Sequence, residues 1–418
     1  LISHLRGYLD KDIFIIFLFG LTSGILLMLT GNTLNFWLAK TGVEIKTIGL
    51  FSLIALPYTL KYFIAPFIEH FSISNILCGQ SKRKSWLIFC SVSILVLSFL
   101  LGNSDPASNI KISAILGIIL AFVAVCTDIT LDSYRVDISN AKNNYGISSS
   151  MFVFGYKMGM LVAGAGAIFL STSLEWAYIY PIFGLLAFIN LSVFIIFVIE
   201  DKAANYDQKK DNLQFRQIFF EPMRQFSTFR EFLLVVIFIF VYKISDHFVL
   251  SMLNPFLLSL QYNEYEISFV AKTFGFLGSV FGSLLGGWLI KKYGIKNCLL
   301  YFALFHSITN ILFIVQNHIG HNLVMLYILT AFGTVSGGMT MSVYISYIMS
   351  ICGGKFTGTQ YAFFSSLMGF SRVVLPSSSG ILVEYFHWDG FFILMIVISI
   401  PGIVLSRFLP DTILNSRC

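Results

Sequence analysis

Charge is what this sequence lacks. Asp, Glu, Lys and Arg together make up 11% of its 418 residues, where a soluble domain carries roughly 25%. A water-facing surface cannot be covered with so few charges. This excludes a soluble enzyme, a nucleic-acid binder and a disordered chain. Cysteine is sparse too. Cys78, Cys90, Cys126, Cys298, Cys352 and Cys418 form no C-x-x-C pair and no metal-ligand spacing, so neither a zinc site nor a disulfide framework is expected. Most fall in or beside apolar runs and read as small buried hydrophobes. Long polar tracts are nearly missing. The one exception, about 200–231, holds no nucleophile–base or metal constellation, which argues against a membrane-bound enzyme. No metal and no cofactor is expected.

What is present is hydrophobic sequence: 56% of residues, with a mean hydropathy of +0.81. A helix crosses the bilayer core in about 20 mostly apolar residues. Twelve such runs are expected, at about 13–38, 47–69, 85–101, 111–132, 147–171, 176–199, 232–259, 267–290, 297–316, 322–350, 358–384 and 390–409. The 200–231 loop divides them into two six-helix halves, 1–199 and 232–418. Placing both termini inside puts most of the 27 Lys and Arg on inner loops and ends. These are Arg6, Lys11, Lys82, Arg83, Lys84, Arg135, Lys142, Lys202, Lys209, Lys210, Arg216, Arg224, Arg230, Lys291, Lys292, Lys296, Lys355, Arg407 and Arg417. The outer loops hold Lys40, Lys46 and Lys111. That asymmetry orients the chain. The net charge of +6 is thus a topology signal rather than a nucleic-acid footprint.

Two six-span halves with a long inner loop between them match the major facilitator architecture. Weak internal similarity, offset by about 222 residues, pairs Asn32 with Asn254 and Ile68-Glu69 with Ile290-Lys291. The run Gly287-Trp288-Leu289-Ile290-Lys291-Lys292-Tyr293-Gly294-Ile295-Lys296 resembles that superfamily's G-x-L-x-D-(R/K)-x-G-x-(R/K) signature, with Lys291 in the acid's place. In the first half Glu69 holds the acid position. The resemblance implies a latch of charges between inner helix ends, for which Glu69, Arg83, Arg135 and Lys291 are the candidates.

Ionisable side chains inside the spans cost about 2.5–3.5 kcal/mol each on insertion scales. Lys61, Asp128, Asp132, Lys157, Lys243, Asp246, Lys272 and Arg372 are the ones to explain. Lys61 and Lys272 lie within reach of an interface or of another helix. Asp128 and Asp132, four apart, share one helix face; their mutual repulsion favours protonation of at least one. They are candidates for proton coupling, although Asp132 can instead pair with Arg135. Lys243 and Asp246, three apart, can pair with each other, either as a fixed structural pair or as one that opens for a proton or an anion. Asp246 is the third coupling candidate. Lys157 and Arg372 occupy equivalent places in the fifth and eleventh spans, following Tyr145 and Tyr361; they bind an anionic substrate or pair between helices. Asn32, Lys243, Tyr344 and Tyr361 complete the candidate binding set. Gly155, Gly159, Ala163 and Ala167 form a small-residue stripe for close helix contact. Pro57, Pro66, Pro181, Pro255, Pro376 and Pro401 are expected to break helices within the membrane.

Several stretches resemble the AmpG family of muropeptide permeases. They are Gly20-Leu21-Thr22-Ser23-Gly24 through Leu29-Thr30-Gly31-Asn32-Thr33-Leu34, Leu56-Pro57-Tyr58-Thr59-Leu60-Lys61, Thr127-Asp128 with Asp132-Ser133-Tyr134-Arg135-Val136-Asp137, Gly155-Tyr156-Lys157-Met158-Gly159, Tyr242-Lys243-Ile244-Ser245-Asp246, and Phe356-Thr357-Gly358-Thr359-Gln360-Tyr361-Ala362 leading to Arg372. Leu26 stands where that family often has Pro, and Thr127 where it often has Gln. The resemblance implies a monomeric proton symporter in the lipid of the bacterial inner membrane. It would import anhydro-muropeptides (GlcNAc-anhydro-MurNAc with or without peptide) for peptidoglycan recycling. Related acetyl-CoA transporters share several of these motifs, so another anion, such as an acyl-CoA or a nucleotide-like molecule, is the alternative cargo.

Overall fold

A computed structural model describes residues 8, 10–44, 47, 51–71, 81–106, 108–197, 218–224, 226–354, 356–373 and 375–409. Lys202, Lys209, Lys210 and Arg216 of the central loop, with Arg6, Lys46, Cys78, Lys355, Arg417 and Cys418, lie outside the described residues, as does the side chain of Lys272. Among the described residues the regular structure is helical throughout.

Ten helical stretches are long and apolar enough to cross a bilayer. The last, Thr357–Arg407, has 51 residues, about twice what one crossing needs. It comprises the helix Thr357–Val373, a 3₁₀ turn Leu375–Ser378 and the helix Ser379–Arg407, which is itself broken at His387, where φ is 54°. The expected second span is segmented into a 3₁₀ turn Ser52–Ala55, a turn Leu56–Thr59 and the helix Lys61–His70. The twelve expected runs are thereby accounted for. The membrane interior supplies no water to free backbone groups, so helices are the form such runs take.

Helix starts follow local chemistry. Asp10 accepts the Asp12 amide at 3.2 Å, Thr228 the Glu231 amide at 3.2 Å, and Asn322 the Met325 amide at 3.1 Å, each a side-chain N-cap. The expected proline breaks hold in part. Pro57 lies in the short turn Leu56–Thr59 and Pro376 in the 3₁₀ turn Leu375–Ser378, both where the helices are interrupted. Pro66, Pro181, Pro255 and Pro401 instead lie inside helices, because neighbouring groups can re-satisfy the freed carbonyls. Further interruptions carry no proline. The first span stops at Gly31 and resumes as Asn32–Lys40. The seventh stops at Val241 and resumes at Ile244. The ninth is divided at Asn310.

The glycine stripe packs as expected. A Cβ on Gly159 would sit 2.2 Å from the Leu21 carbonyl oxygen, and one on Gly24 would sit 2.2 Å from that of Tyr156. The helices Lys11–Thr30 and Tyr145–Leu170 therefore touch backbone to backbone. In the second half Gly282 and Gly338 do the same for Phe276–Tyr293 against Leu323–Ile351. Gly146 meets Gly287 across the two halves.

One apolar core fills the first half, from Ile13 to Phe194. The second half has two. One, around Phe238, Tyr347 and Phe364, takes in Val136 and Val153 from the first half. The other, around Phe256, Phe313 and Phe392, is built from the second half alone. The halves are thus fused through apolar packing toward the end that carries the basic loops.

Candidate functional site

The site is assembled where helices restart. Lys61 is the first residue of Lys61–His70, and Lys243 is the N-cap of Ile244–Ser259. Each projects into the middle of its half against acids of the same half.

In the first half, Lys61 Nζ lies 3.1 Å from Asp128 Oδ2 and 2.8 Å from Asp132 Oδ2. Ser23 donates to the other oxygen of Asp128. Arg135 Nη2 donates to Asp132 Oδ1 at 2.8 Å and to the Tyr361 hydroxyl at 2.7 Å. The i, i+4 spacing does put both carboxylates on one face of Ile110–Lys142, but the expected repulsion between them is offset by Lys61, which bridges them. Of the two expectations for Lys61, an interface or another helix, the second holds: it is 7% exposed and paired with two acids of Ile110–Lys142. With all four groups ionised the cluster carries no net charge. Arg135 is wholly buried, its guanidinium 3.8 Å above the Phe152 ring and 5.1 Å from that of Tyr361. Its Nε and Nη1 have no hydrogen-bond partner among the described residues.

In the second half, Lys243 and Asp246 form the expected ion pair. Lys243 also donates to Thr340 Oγ1 at 3.1 Å. The other oxygen of Asp246 is taken by His306 Nε2, and His306 Nδ1 lies 2.7 Å from Ser336 Oγ. Asp246 sits in the first turn of its helix, where the macrodipole favours an anion. A small cavity between these groups is lined by Lys243, Asp246, His306, Ser307 and Thr340. His306 went unrecognised in the sequence. Its only signal was an ionisable ring inside the ninth apolar run.

Between the halves, Arg372 reaches the Tyr156 hydroxyl, and Lys157 interacts electrostatically with Lys243, Arg372 and Asp246. Lys157, Lys243 and Arg372, from both halves, therefore feel one another's charge. Arg372 is exposed and Lys157 half-buried. Asn32 is exposed at the first-span break. Two other candidates lie elsewhere. Tyr344 is fully buried, donates to the Ile239 carbonyl and stacks on Tyr242 with centroids 5.4 Å apart. Tyr361 is buried against Arg135.

At the basic end the halves are joined. Glu69 accepts the Gly358 amide at 2.8 Å, the Thr359 amide at 3.1 Å and the Thr359 hydroxyl at 2.5 Å. A carboxylate of one half thus caps the N-terminus of Thr357–Val373 in the other, where backbone donors and dipole both favour it. Asn140 donates to the Cys352 carbonyl at 3.0 Å, and the Ser149 and Ser346 hydroxyls meet at 2.6 Å. Of the four latch candidates, Glu69 and Arg135 cross between halves. Arg83 pairs with Asp137 inside the first half, and Lys291 points outward, exposed. Nearby, the Lys142 ammonium, 2.7 Å from Asp10 and 2.5 Å from Asp12, holds the Asp10 carboxyl below its ordinary value. Glu69→Ala removes a cap worth about 1–2 kcal/mol and is expected to shift opening of this end by about 5–30-fold. Spin labels at Asn143 and Lys291, both exposed, should then show a longer second distance population; an unchanged distribution would show that the cap is not a latch.

Two helical bundles joined at one end, each holding a buried cluster of charge, have the form of a membrane-embedded secondary transporter. The Major Facilitator Superfamily profile matches residues 13–376 and 244–415. A Rickettsia bellii protein named "Putative transporter AmpG 1" is 38% identical over 95% of this chain and 97% of its own length. The protein of the same name from Rickettsia conorii is 36% identical over 94% and 96%. Among solved structures, the proton:xylose symporter XylE bound to a bromodeoxyglucose superposes with a TM-score of 0.66, covering 97% of each chain at 14% identity. A double-tryptophan variant of XylE gives 0.70; at such identities the likeness concerns the fold. The chain belongs to the Major Facilitator Superfamily and, within it, to the AmpG transporter family.

Proposed function

We propose that the protein imports anhydro-muropeptides across the bacterial inner membrane in symport with protons, as a monomer with both termini in the cytoplasm. The observation that carries this reading is a buried cluster of acids and cations in each half, with Lys157 and Arg372 close enough to the second to feel its charge. Permanent carboxylates on the substrate suit Lys157, Lys243 and Arg372, and Arg372 offers a planar fork for one of them. Asp128, with Asp132 and Asp246, provides buried carboxylates next to the binding space, where a proton can be taken and released. The Glu69 cap and the Arg135–Tyr361 contact join the halves at the cytoplasmic end, which suits entry of substrate from the periplasm. The family membership supports the muropeptide class.

Proteoliposomes given an inward proton gradient and labelled GlcNAc-anhydro-MurNAc should accumulate it, with unlabelled anhydro-muropeptide competing and coenzyme A not. Competition by coenzyme A alone, without uptake of the disaccharide, would favour an acyl or nucleotide-linked anion as cargo.

A further inference from the structure

The two charge clusters differ in kind. In the first half two acids meet two permanent cations, Lys61 and Arg135. In the second half one acid, Asp246, stands between Lys243 and the ring of His306, which is cationic only when protonated.

The ring's surroundings accommodate both of its states. Ser336 Oγ lies 2.7 Å from His306 Nδ1 and 3.0 Å from the Gly333 carbonyl oxygen, and its one hydroxyl proton can serve only one of them. If the proton points to Nδ1, the ring is neutral and donates from Nε2 to Asp246. If it points to Gly333, Nδ1–H donates to Ser336, Nε2–H still donates to Asp246, and the ring is an imidazolium. Rotation of one hydroxyl therefore converts a site for a neutral ring into a site for a charged one, with the Asp246 contact kept.

The other groups around the ring leave that switch intact. Leu323–Ile351 presents the hydroxyls of Ser336 and Thr340, and Ser379–Arg407 presents Ser399, bonded to Ser307. Asp389 follows the break at His387 and Arg407 ends that helix, and Lys291 and Lys292 lie at the end of Phe276–Tyr293. Tyr242 and His247 flank Asp246, and the charges of Lys157 and Arg372 are felt at the cluster.

We propose that His306, rather than the Asp246 carboxylate it bonds, is the proton-carrying group of the second half, and that its protonation draws Asp246 away from Lys243 and frees Lys243 for a substrate carboxylate. The ring gains one proton from cavity water, and the cluster passes from neutral to one net positive charge. An anion seated on Lys243 restores neutrality. Proton and anion therefore bind cooperatively, each strengthening the other by the same factor, about tenfold. This deepens the transport reading above and rests on it for the identity of the anion.

The test reads His306 directly, by NMR of 15N-histidine-labelled protein in lipid nanodiscs, with His306→Asn to assign the signal. Without substrate, Asp246→Asn should lower the His306 midpoint by about one unit or more, and Lys243→Gln, which leaves Asp246 to the ring alone, should raise it. A midpoint indifferent to both variants, or moving the opposite way, overturns the proposal; each variant is a control on the folding of the other. GlcNAc-anhydro-MurNAc should bind the unmodified protein about tenfold more tightly near pH 6 than near pH 8. His306→Asn should lose that difference, and a difference retained there also overturns the proposal. If the disaccharide binds at neither pH, the substrate reading fails, and the substrate-free titrations still decide the role of His306.

Discussion

Asp128→Asn is expected to abolish gradient-driven accumulation and to leave exchange of substrate across the membrane intact. Asp128 receives Lys61 on one oxygen and Ser23 on the other. Asparagine keeps the shape and one acceptor but cannot take or release a proton, so it holds the site in an analogue of its protonated state. One net charge crossing 100 mV supplies about 2.3 kcal/mol, roughly 50-fold accumulation. The variant should equilibrate substrate without concentrating it. The check is a pair of assays on the same vesicles, uptake under an imposed gradient and counterflow with substrate on both sides. Loss of both would mean a folding or binding defect; retention of both would remove Asp128 from the coupling path.

Lys61→Met is expected to be the most damaging single change to stability. Lys61 is the cation that two carboxylates share, at 3.1 and 2.8 Å. Removing it leaves an uncompensated negative charge in the membrane interior, at a cost of about 3–5 kcal/mol. The double variant Lys61→Met/Asp128→Asn restores a neutral cluster, because Asp132 keeps Arg135. It should recover most of the loss, although not coupled transport. Denaturation midpoints in detergent would show this. A double variant no more stable than the single one would mean that Lys61 acts through packing rather than charge.

Hydropathy made the spans legible, because any run of about 20 apolar residues has one stable form in lipid. The Gly155–Gly159 stripe was legible for a similar reason, since a missing Cβ has the same meaning on any helix. Which face meets which neighbour was not legible. Asp128 and Asp132 could be placed on one side of a helix by spacing alone, but the cation between them comes from another helix, and no local pattern points to Lys61. The same limit hid His306, whose partner Asp246 is 60 residues away in sequence. Tyr344 read as a binding residue because its hydroxyl lies inside the tenth apolar run. The fold turns it instead onto the Ile239 carbonyl. Proline marked the break at Pro376 and preceded the one at Leu60, but it did not mark the others. The chain interrupts its helices at Gly31, at Leu60, at Tyr242-Lys243 and at Asn310, and two of these interruptions set the buried lysines at helix starts. Glu69 was found through its place in a motif. That it caps a helix of the opposite half became clear only from the fold.

The central claim is that buried carboxylates next to a cationic cavity let a proton gradient drive an anionic cargo inward. It is tested most directly by following labelled GlcNAc-anhydro-MurNAc into proteoliposomes with an inward proton gradient, before and after addition of an uncoupler. The account predicts accumulation above the outside concentration that collapses when the uncoupler is added. Uptake of the same extent with and without the uncoupler would contradict it.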